Sequence, residues 1–293
     1  MSYRVSICIP TCNRDVYLES LLRSLFAQLD GLAGEIEVVV SDNASDDRTE
    51  EVASAYAGHP DFRYVRRNEN IGNERNYLGV VQAATGEYCW LLGDDEILEP
   101  AAIERLRALV NGEEFDLAVF STPTHRWVDE RVQFSSYRQY VDHFARVRPE
   151  TLRESTLISL SVFRRQVWAG VPNKERFLPT RYLHTLTLAA GLIDAGRILV
   201  LPDALITVPR HRAAFHDHRL EFEISFLHLA LLMTLARMAR SDALKQFCRA
   251  ERPRAMQGMA RDLVRVTKRY ARDAGLILWT VIRTILGRGG GQG

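Results

Sequence analysis

Leu91-Leu92-Gly93-Asp94-Asp95-Glu96-Ile97 places three adjacent carboxylates at the end of an apolar run. Apolar strands of α/β proteins deliver their carboxyl ends to ligand sites, and carboxylates there can hold a hard cation that carries phosphate oxygens. Asp94 and Asp95 are therefore candidate ligands for Mg2+ or Mn2+. A plainer arrangement uses the same residues. Pro100 suits the first position of a helix, and Glu96 and Glu99 suit its positive end, so the turn could be a solvated acidic cap. Local composition leaves both readings open.

The elements that must position this turn lie upstream. Val5 to Ile9 is a short β-branched run stopped by Pro10, which reads as a buried strand ending in a polar loop. Tyr17, Leu18, Leu21, Leu22, Leu25, Phe26 and Leu29 recur at the spacing of one buried helical stripe, closed by Gly31 and Gly34. Ile36 to Val40 is a second strand, and the Asp-Asp-Arg-Thr-Glu-Glu run from Asp46 supplies capping residues and first-turn acids for another helix. Phe62 to Val65, a helix from Asn76 to Ala84 and a strand from Tyr88 to Leu92 follow. Such alternation implies an α/β, mostly parallel, Rossmann-like sheet with helices on both faces. Its strand ends carry Thr11-Cys12-Asn13-Arg14, Ser41-Asp42-Asn43 and Gly93-Asp94-Asp95, so three polar clusters are expected on one sheet edge.

These motifs, taken in register, resemble family 2 glycosyltransferases of the GT-A fold. The resemblance rests on Ile9-Pro10-Thr11-Cys12-Asn13-Arg14 with the helix of 17–25, and on Val39-Val40-Ser41-Asp42-Asn43-Ala44-Ser45-Asp46-Asp47. It continues with Asn70-Ile71-Gly72, Asn76, Gly79, Ala84 and Gly86, which lead into the acidic turn. It covers residues 3–122 and, more weakly, extends to about 212. Among bacterial members the chain looks most like enzymes that add one sugar during O-antigen or capsule assembly, abequosyltransferase-like proteins among them.

The resemblance implies roles for particular residues. Pro10, Thr11, Asn13, Arg14 and Asp42 would hold the nucleotide base, with Asp42 accepting a base N–H. A carboxylate that only accepts favours a uracil or thymine imide, although a cytosine amino group also serves. Asp42 has a plainer alternative as a turn residue bonding its own backbone. Asn70, Gly72 and Asn76 would cover the nucleoside, Gly72 by letting the backbone come close, whereas Arg75 reads equally well as a surface helix charge. Asp94 and Asp95 match the family's Asp-x-Asp motif for ribose and metal. Leu92 stands where the first carboxylate of the longer form would be. Two ligands then remain for Mn2+ or Mg2+, a Lewis acid for the departing diphosphate in a reaction that passes through an oxocarbenium-like state.

Family members that invert configuration place a carboxylate at a helix start, which here corresponds to Pro179–His184, a segment without one. His184 and the upstream Glu175 are the candidate catalytic bases. Each has an alternative, as a packed helix histidine or a solvated loop acid, and a retaining reaction would need no such base. As in some GT-A enzymes, the resemblance makes His211 a candidate third metal ligand, with His216 and His218 as substitutes, and Arg210 and Arg212 could grip phosphate; the alternative is a basic loop that is simply exposed.

The 293-residue chain is 46% hydrophobic with a formal net charge of +1, enough for one large domain and an appendage but not for tracking a nucleic-acid backbone. The expected division is a catalytic domain over 1–212, binding nucleotide-sugar and acceptor, and a C-terminal helical region over 213–293. That region is basic, with Arg261, Arg265, Lys268, Arg269 and Arg272 leading into the apolar stretch Leu276–Leu286, which holds Trp279 and Arg283. The stretch is shorter than the roughly 20 residues a spanning helix needs. It reads as an interfacial helix on the inner leaflet, or as one docked on the domain or on a second copy in a homo-oligomer. Cys8, Cys12, Cys89 and Cys248 show no Cys-x-x-Cys spacing, and Met1 runs directly into a strand without room for a signal peptide. A cytoplasmic enzyme, peripheral on the inner membrane, is the expectation. Thr122 to Glu154 carries Trp127, Phe134, Tyr137, Tyr140, His143 and Phe144, rings that either stack on an acceptor sugar or, as preferred, pack a subdomain.

The leading reading is thus a metal-dependent transferase moving a sugar from a nucleotide-diphosphate donor to a saccharide acceptor, expected to be linked to polyprenyl diphosphate. A silent relative that binds sugar nucleotide or scaffolds a membrane assembly is the alternative. A nicotinamide dehydrogenase is disfavoured because no Gly-x-Gly-x-x-Gly loop follows the first strand.

Overall fold

Val5–Thr11 forms β1, buried along its whole length, in a computed structural model that describes residues 3–208 and 231–250. After it come α1 (Asp15–Leu29), β2 (Ile36–Asp42), α2 (Thr49–Ser54), β3 (Phe62–Arg66), α3 (Asn73–Ala83) and β4 (Tyr88–Leu91). The middle of the chain supplies β5 (Ile97–Leu98), α4 (Ala102–Gly112), β6 (Leu117–Ser121), β7 (Val132–Phe134), α5 (Tyr137–Val147) and α6 (Thr151–Glu154). Then follow β8 (Ser161–Arg164), α7 (Arg165–Gly170), α8 (Leu183–Gly191), β9 (Ile198–Ala204) and β10 (Ile206–Thr207).

Eight strands make one sheet in the order β3-β2-β1-β4-β8-β6-β9-β7. β3, β2, β1 and β4 run parallel, and so do β6 and β9, while β8 is antiparallel to both its neighbours and β7 to β9. The sheet is therefore mixed but mostly parallel, and because β6 runs with β4 their carboxyl ends share one edge. β1 runs two residues further than the sequence suggests, through Pro10. Pro10 lies opposite Ser41 of β2, while on the other side the ladder to β4 ends where the Leu92 N–H reaches the Cys8 carbonyl at 2.9 Å. The donor that proline lacks would fall beyond that ladder.

The α1 stripe consists of Leu18, Leu21, Leu22, Leu25 and Leu29. Tyr17, counted in the stripe from sequence, is 39% exposed and instead lies beneath the Arg14 guanidinium. At the amino-terminal edge the buried Glu37 carboxylate accepts from the Ser6 hydroxyl at 2.5 Å and from the Thr85 N–H at 2.6 Å, joining β1, β2 and the turn before β4. Gly86 fits because a Cβ there would stand 2.7 Å from the Ser6 nitrogen and the Val5 carbonyl carbon.

The acidic turn does not cap a helix. It enters β5, which pairs antiparallel with β10, and the Glu99 N–H extends that pairing to the Leu205 carbonyl. Only after Ala101, in the left-handed region at φ 56°, does α4 begin, so Pro100 stands outside it. The reading of Glu96 and Glu99 as helix-end charges is thereby overturned: Glu96 is buried and Glu99 receives the Thr207 hydroxyl.

Residues 231–238 and 242–250 are helical, and Leu231, Leu235, Ala239, Leu244 and Cys248 are buried in the same apolar core as the sheet. Arg138 of α5 donates to the Ala239 carbonyl at 2.6 Å and Ser241 to Asp142 at 2.8 Å. Trp127, Phe134, Tyr137, Tyr140 and Phe144 are buried, consistent with packing, while His143 is exposed at their edge. All four cysteines are free thiols. Among the described residues no helix is long and apolar enough to cross a membrane. Arg210, His211, Arg212, His216, His218 and the basic and apolar tail of 261–286 lie outside the described residues.

Candidate functional site

The ends of β1, β2 and β4 do bring the three polar clusters together. The Thr11 hydroxyl donates to Asp94 Oδ2 at 2.8 Å, and the Asn43 N–H donates to the Thr11 carbonyl at 2.9 Å. Arg14, between β1 and α1, spans both carboxylates of the turn. Its Nη2 lies 2.6 Å from Asp95 Oδ2, and its Nε lies 2.8 Å from Asp94 Oδ1 without hydrogen-bond alignment. Its guanidinium carbon sits 4.5 Å from the Tyr17 ring centroid. Asp94 and Asp95 are both buried. Burial pushes the Asp94 carboxyl up to about 6, with Arg14 and the Thr11 hydroxyl pulling against it.

The turn is clamped from the far side by the segment that enters β8. The Gly93 N–H donates to Ser159 Oγ at 2.9 Å, and that hydroxyl donates to Glu96 Oε1 at 2.8 Å. The Trp90 indole N–H reaches the Ser159 carbonyl at 2.8 Å, fixing the same residue from β4.

Asp42 is wholly buried at the end of β2. Its Oδ1 accepts the Ser45 N–H at 2.9 Å and hydroxyl at 2.5 Å, which is the local turn bonding expected of the plainer alternative. Its Oδ2 accepts the Tyr64 hydroxyl at 2.6 Å and Arg66 Nη1 at 2.8 Å. Burial and the neighbouring Asp42 push the Tyr64 phenol up. A base N–H aimed at Asp42 must therefore share Oδ2 with, or displace, Arg66, the more exposed of its two partners there. Tyr64 and Arg66 were not singled out from sequence. Their signal was the two-residue strand period, which puts both on one face of β3, with Arg66 opposite Asp42 in register.

The Asn70 loop is tied over these strand ends. Asn43 Nδ2 donates to Asn70 Oδ1 at 2.8 Å, and Asn70 Oδ1 also receives the Gly72 N–H at 3.0 Å. Gly72 adopts φ 84°, a conformation that favours glycine, and a Cβ there would meet nothing within 4 Å. Asn13, itself at φ 54°, accepts the Asp46 N–H at 2.8 Å and so binds the first two loops to each other. Asn76 is buried and engaged within the fold. Its Oδ1 accepts the Ser41 hydroxyl at 2.6 Å, and its Nδ2 donates to the Ser41 carbonyl at 2.9 Å.

The candidate bases lie on α8 and on the segment before it. His184 is buried in α8, its Nε2–H donates to the Thr156 carbonyl at 2.6 Å and its Nδ1 has no hydrogen-bond partner. Burial pushes the ring down to about 4, which makes it a weak proton acceptor in the surroundings of a packed histidine. Glu175 is exposed on the 3-10 segment Lys174–Thr180.

Beside the clamp lies a hollow of about 350 Å3 lined by Thr122, His125, Trp127, Glu154, Thr156 and Leu160, among others. It abuts the carboxyl end of β6, at the sheet edge that carries the acidic turn. His125 lies over Trp127 with ring centroids 6.2 Å apart.

Among the described residues no group of three or more His, Cys, Asp or Glu side chains forms a metal site. The Asp94–Asp95 pair nonetheless fits a hard cation in two respects. Its donors are carboxylate oxygens, and a positive group, the Arg14 guanidinium, already bridges them.

Residues 6–168 match the profile of glycosyl transferase family 2. The abequosyltransferase RfbV of Salmonella typhimurium is 29% identical over 211 residues, 67% of this chain and 63% of that protein, so the match spans less than two thirds of the relative. The GalNAc(5)-diNAcBac-PP-undecaprenol beta-1,3-glucosyltransferase of Campylobacter jejuni is 31% identical over 110 residues, 37% of this chain and 35% of that one. Among solved structures, S. aureus TarS 1–349 aligns with a TM-score of 0.57 at 18% identity, covering 97% of this chain and 82% of its own. The mannosyltransferase PcManGT from Pyrobaculum calidifontis, in complex with GDP-Man and Mn2+, aligns with a TM-score of 0.57 at 16% identity, covering 98% and 81%. At these identities the two structures speak for the fold.

Proposed function

Because the chain belongs to glycosyl transferase family 2 and has a GT-A-like fold, we propose that it transfers a sugar from a nucleoside diphosphate donor to a saccharide acceptor carried on a polyprenyl diphosphate, in bacterial surface polysaccharide assembly. The observation that carries this reading is the convergence of Thr11, Arg14, Asp42 and the Asp94–Asp95 pair on one sheet edge. Among the curated relatives are one named for abequosyl transfer and one named for transfer to an undecaprenol-linked glycan, which supports the acceptor class.

In this reading Asp42 and Arg66 receive the base, Asn70 and Gly72 lie over the nucleoside, and Asp94 faces the ribose. Asp94 and Asp95 would hold Mg2+ or Mn2+, with His211 as the third ligand that the family resemblance implies. When bound, the ion would neutralise charge on the departing diphosphate. The hollow at Trp127 takes the acceptor sugar: Thr122 and Glu154 supply hydrogen-bonding groups and Leu160 an apolar wall. Its place beside Ser159, which holds Gly93 and Glu96, supports a reading in which acceptor and donor sides adjoin. The basic tail of 261–286 would rest on the inner leaflet, where such acceptors are carried.

A silent relative is the second reading, favoured by the missing carboxylate in 179–184 and the weak basicity of His184. Donor hydrolysis separates the two. A transferase turns over nucleotide-sugar with Mn2+ and loses that turnover in Asp95→Ala, whereas a silent relative shows no metal-dependent turnover at all.

A further inference from the structure

From the bridging geometry of Arg14 we infer that its guanidinium occupies the position of the divalent ion until the donor arrives, so that ion and nucleoside diphosphate enter together. The inference rests on the donor reading above and adds a role for Arg14 within it.

Asp94 and Asp95 have side chains only 8% and 5% exposed, and Arg14 approaches an oxygen of each at 2.8 and 2.6 Å. A second cation cannot take both oxygens while the guanidinium stays. At such range two positive charges in a site shielded from water repel strongly. Arg14 is held in place by three things: the two carboxylates, the Tyr17 ring at 4.5 Å, and a backbone fixed by the Tyr17 and Leu18 N–H groups on its carbonyl at 3.1 and 3.0 Å. Release therefore needs only side-chain rotation, because the backbone anchor lies in the first turn of α1. A diphosphate supplies what makes rotation favourable. Its oxygens accept a guanidinium in bidentate fashion, and they also complete the ion's coordination. Either newcomer alone leaves one charge badly placed: the ion leaves Arg14 without a partner, and the nucleotide draws Arg14 away from two buried carboxylates.

Coupled binding of this kind is reciprocal, so it can be read from the ion's side. The test is titration of the full-length chain with MnCl2 alone, following free Mn2+ by electron paramagnetic resonance. Arg14→Gln is expected to tighten Mn2+ binding at least tenfold. Tyr17→Leu, which leaves the net charge and both carboxylates in place, is expected to tighten it two- to fivefold. Circular dichroism melts confirm that each variant is folded. The added affinity must vanish when Asp95→Ala is introduced into the Arg14→Gln chain. Native and Arg14→Gln chains with equal, Asp95-dependent Mn2+ affinity would overturn this inference and leave the transfer reading intact. Tightening in Arg14→Gln with none in Tyr17→Leu would reduce the effect to bulk charge and overturn it as well. Absence of Mn2+ binding in every variant, with or without UDP, GDP, dTDP and CDP, would remove the metal from the proposed function and this inference with it.

Discussion

Asp42 and His184 show how differently two residues chosen on chemical type can be used by a fold. Asp42 receives four donors on two oxygens, so truncating it leaves Arg66 without its buried carboxylate partner and, in the proposed reading, removes the acceptor for a base N–H. Asp42→Ala is expected to abolish the rise in melting temperature that the true nucleotide-sugar produces with Mn2+; an undiminished rise removes Asp42 from base binding. His184 gives a pH prediction. Unfolded, the ring titrates near 6.5, and folded it is pushed down to about 4, so between these values the unfolded chain holds more protons. Its contribution is complete above pH about 6.5 and is lost as pH falls towards 4, roughly 3 kcal/mol in all. Urea melts at pH 7.5 and 4.5 should show a smaller acid loss in His184→Gln than in the native chain, and equal losses would exclude the ring as the cause. The clusters at 11–14, 41–43 and 93–95 were legible in the sequence because each is a contiguous polar interruption of an apolar run. Ser159 was not: it lies 66 residues from Gly93, and nothing local marks a serine that clamps a distant turn.

At the level of elements, the first four strands and three helices were legible because their apolar periods are clean and their ends carry glycine, proline or acid. What the pattern concealed was direction. β8 is a short run that enters the sheet backwards between β4 and β6, and no residue type distinguishes parallel from antiparallel neighbours in a fully buried core. The two-residue strands β5 and β10 were hidden for a related reason, since each exists only because the other pairs with it. At the turn before β4, Gly86 has the backbone of β1 within 2.7 Å of its missing Cβ. Gly86→Ala should therefore destabilise the fold by about 1–3 kcal/mol through forced separation of β1 from the β4 turn. Urea midpoints at pH 7.5 measure this, and a change within a few tenths of a kcal/mol would show that the turn yields freely.

At the scale of the molecule, residues 231–250 share one apolar core with the sheet rather than beginning a separate body. Leu235→Ala is therefore expected to lower stability by about 2–4 kcal/mol and to shift a single unfolding transition; a second, independent transition in calorimetry would show that these helices fold apart. The clamp at Ser159 has a consequence of another kind. One hydroxyl fastens the acidic turn to the stretch that borders the Trp127 hollow, so a chimaera grafting a relative's residues 122–157 into this scaffold can exchange most of the hollow's lining, Leu160 and Val208 excepted, while keeping the fastening. In the proposed reading such grafts would offer a route to new acceptor preference with donor recognition inherited unchanged, and the splice belongs between Leu157 and Ile158.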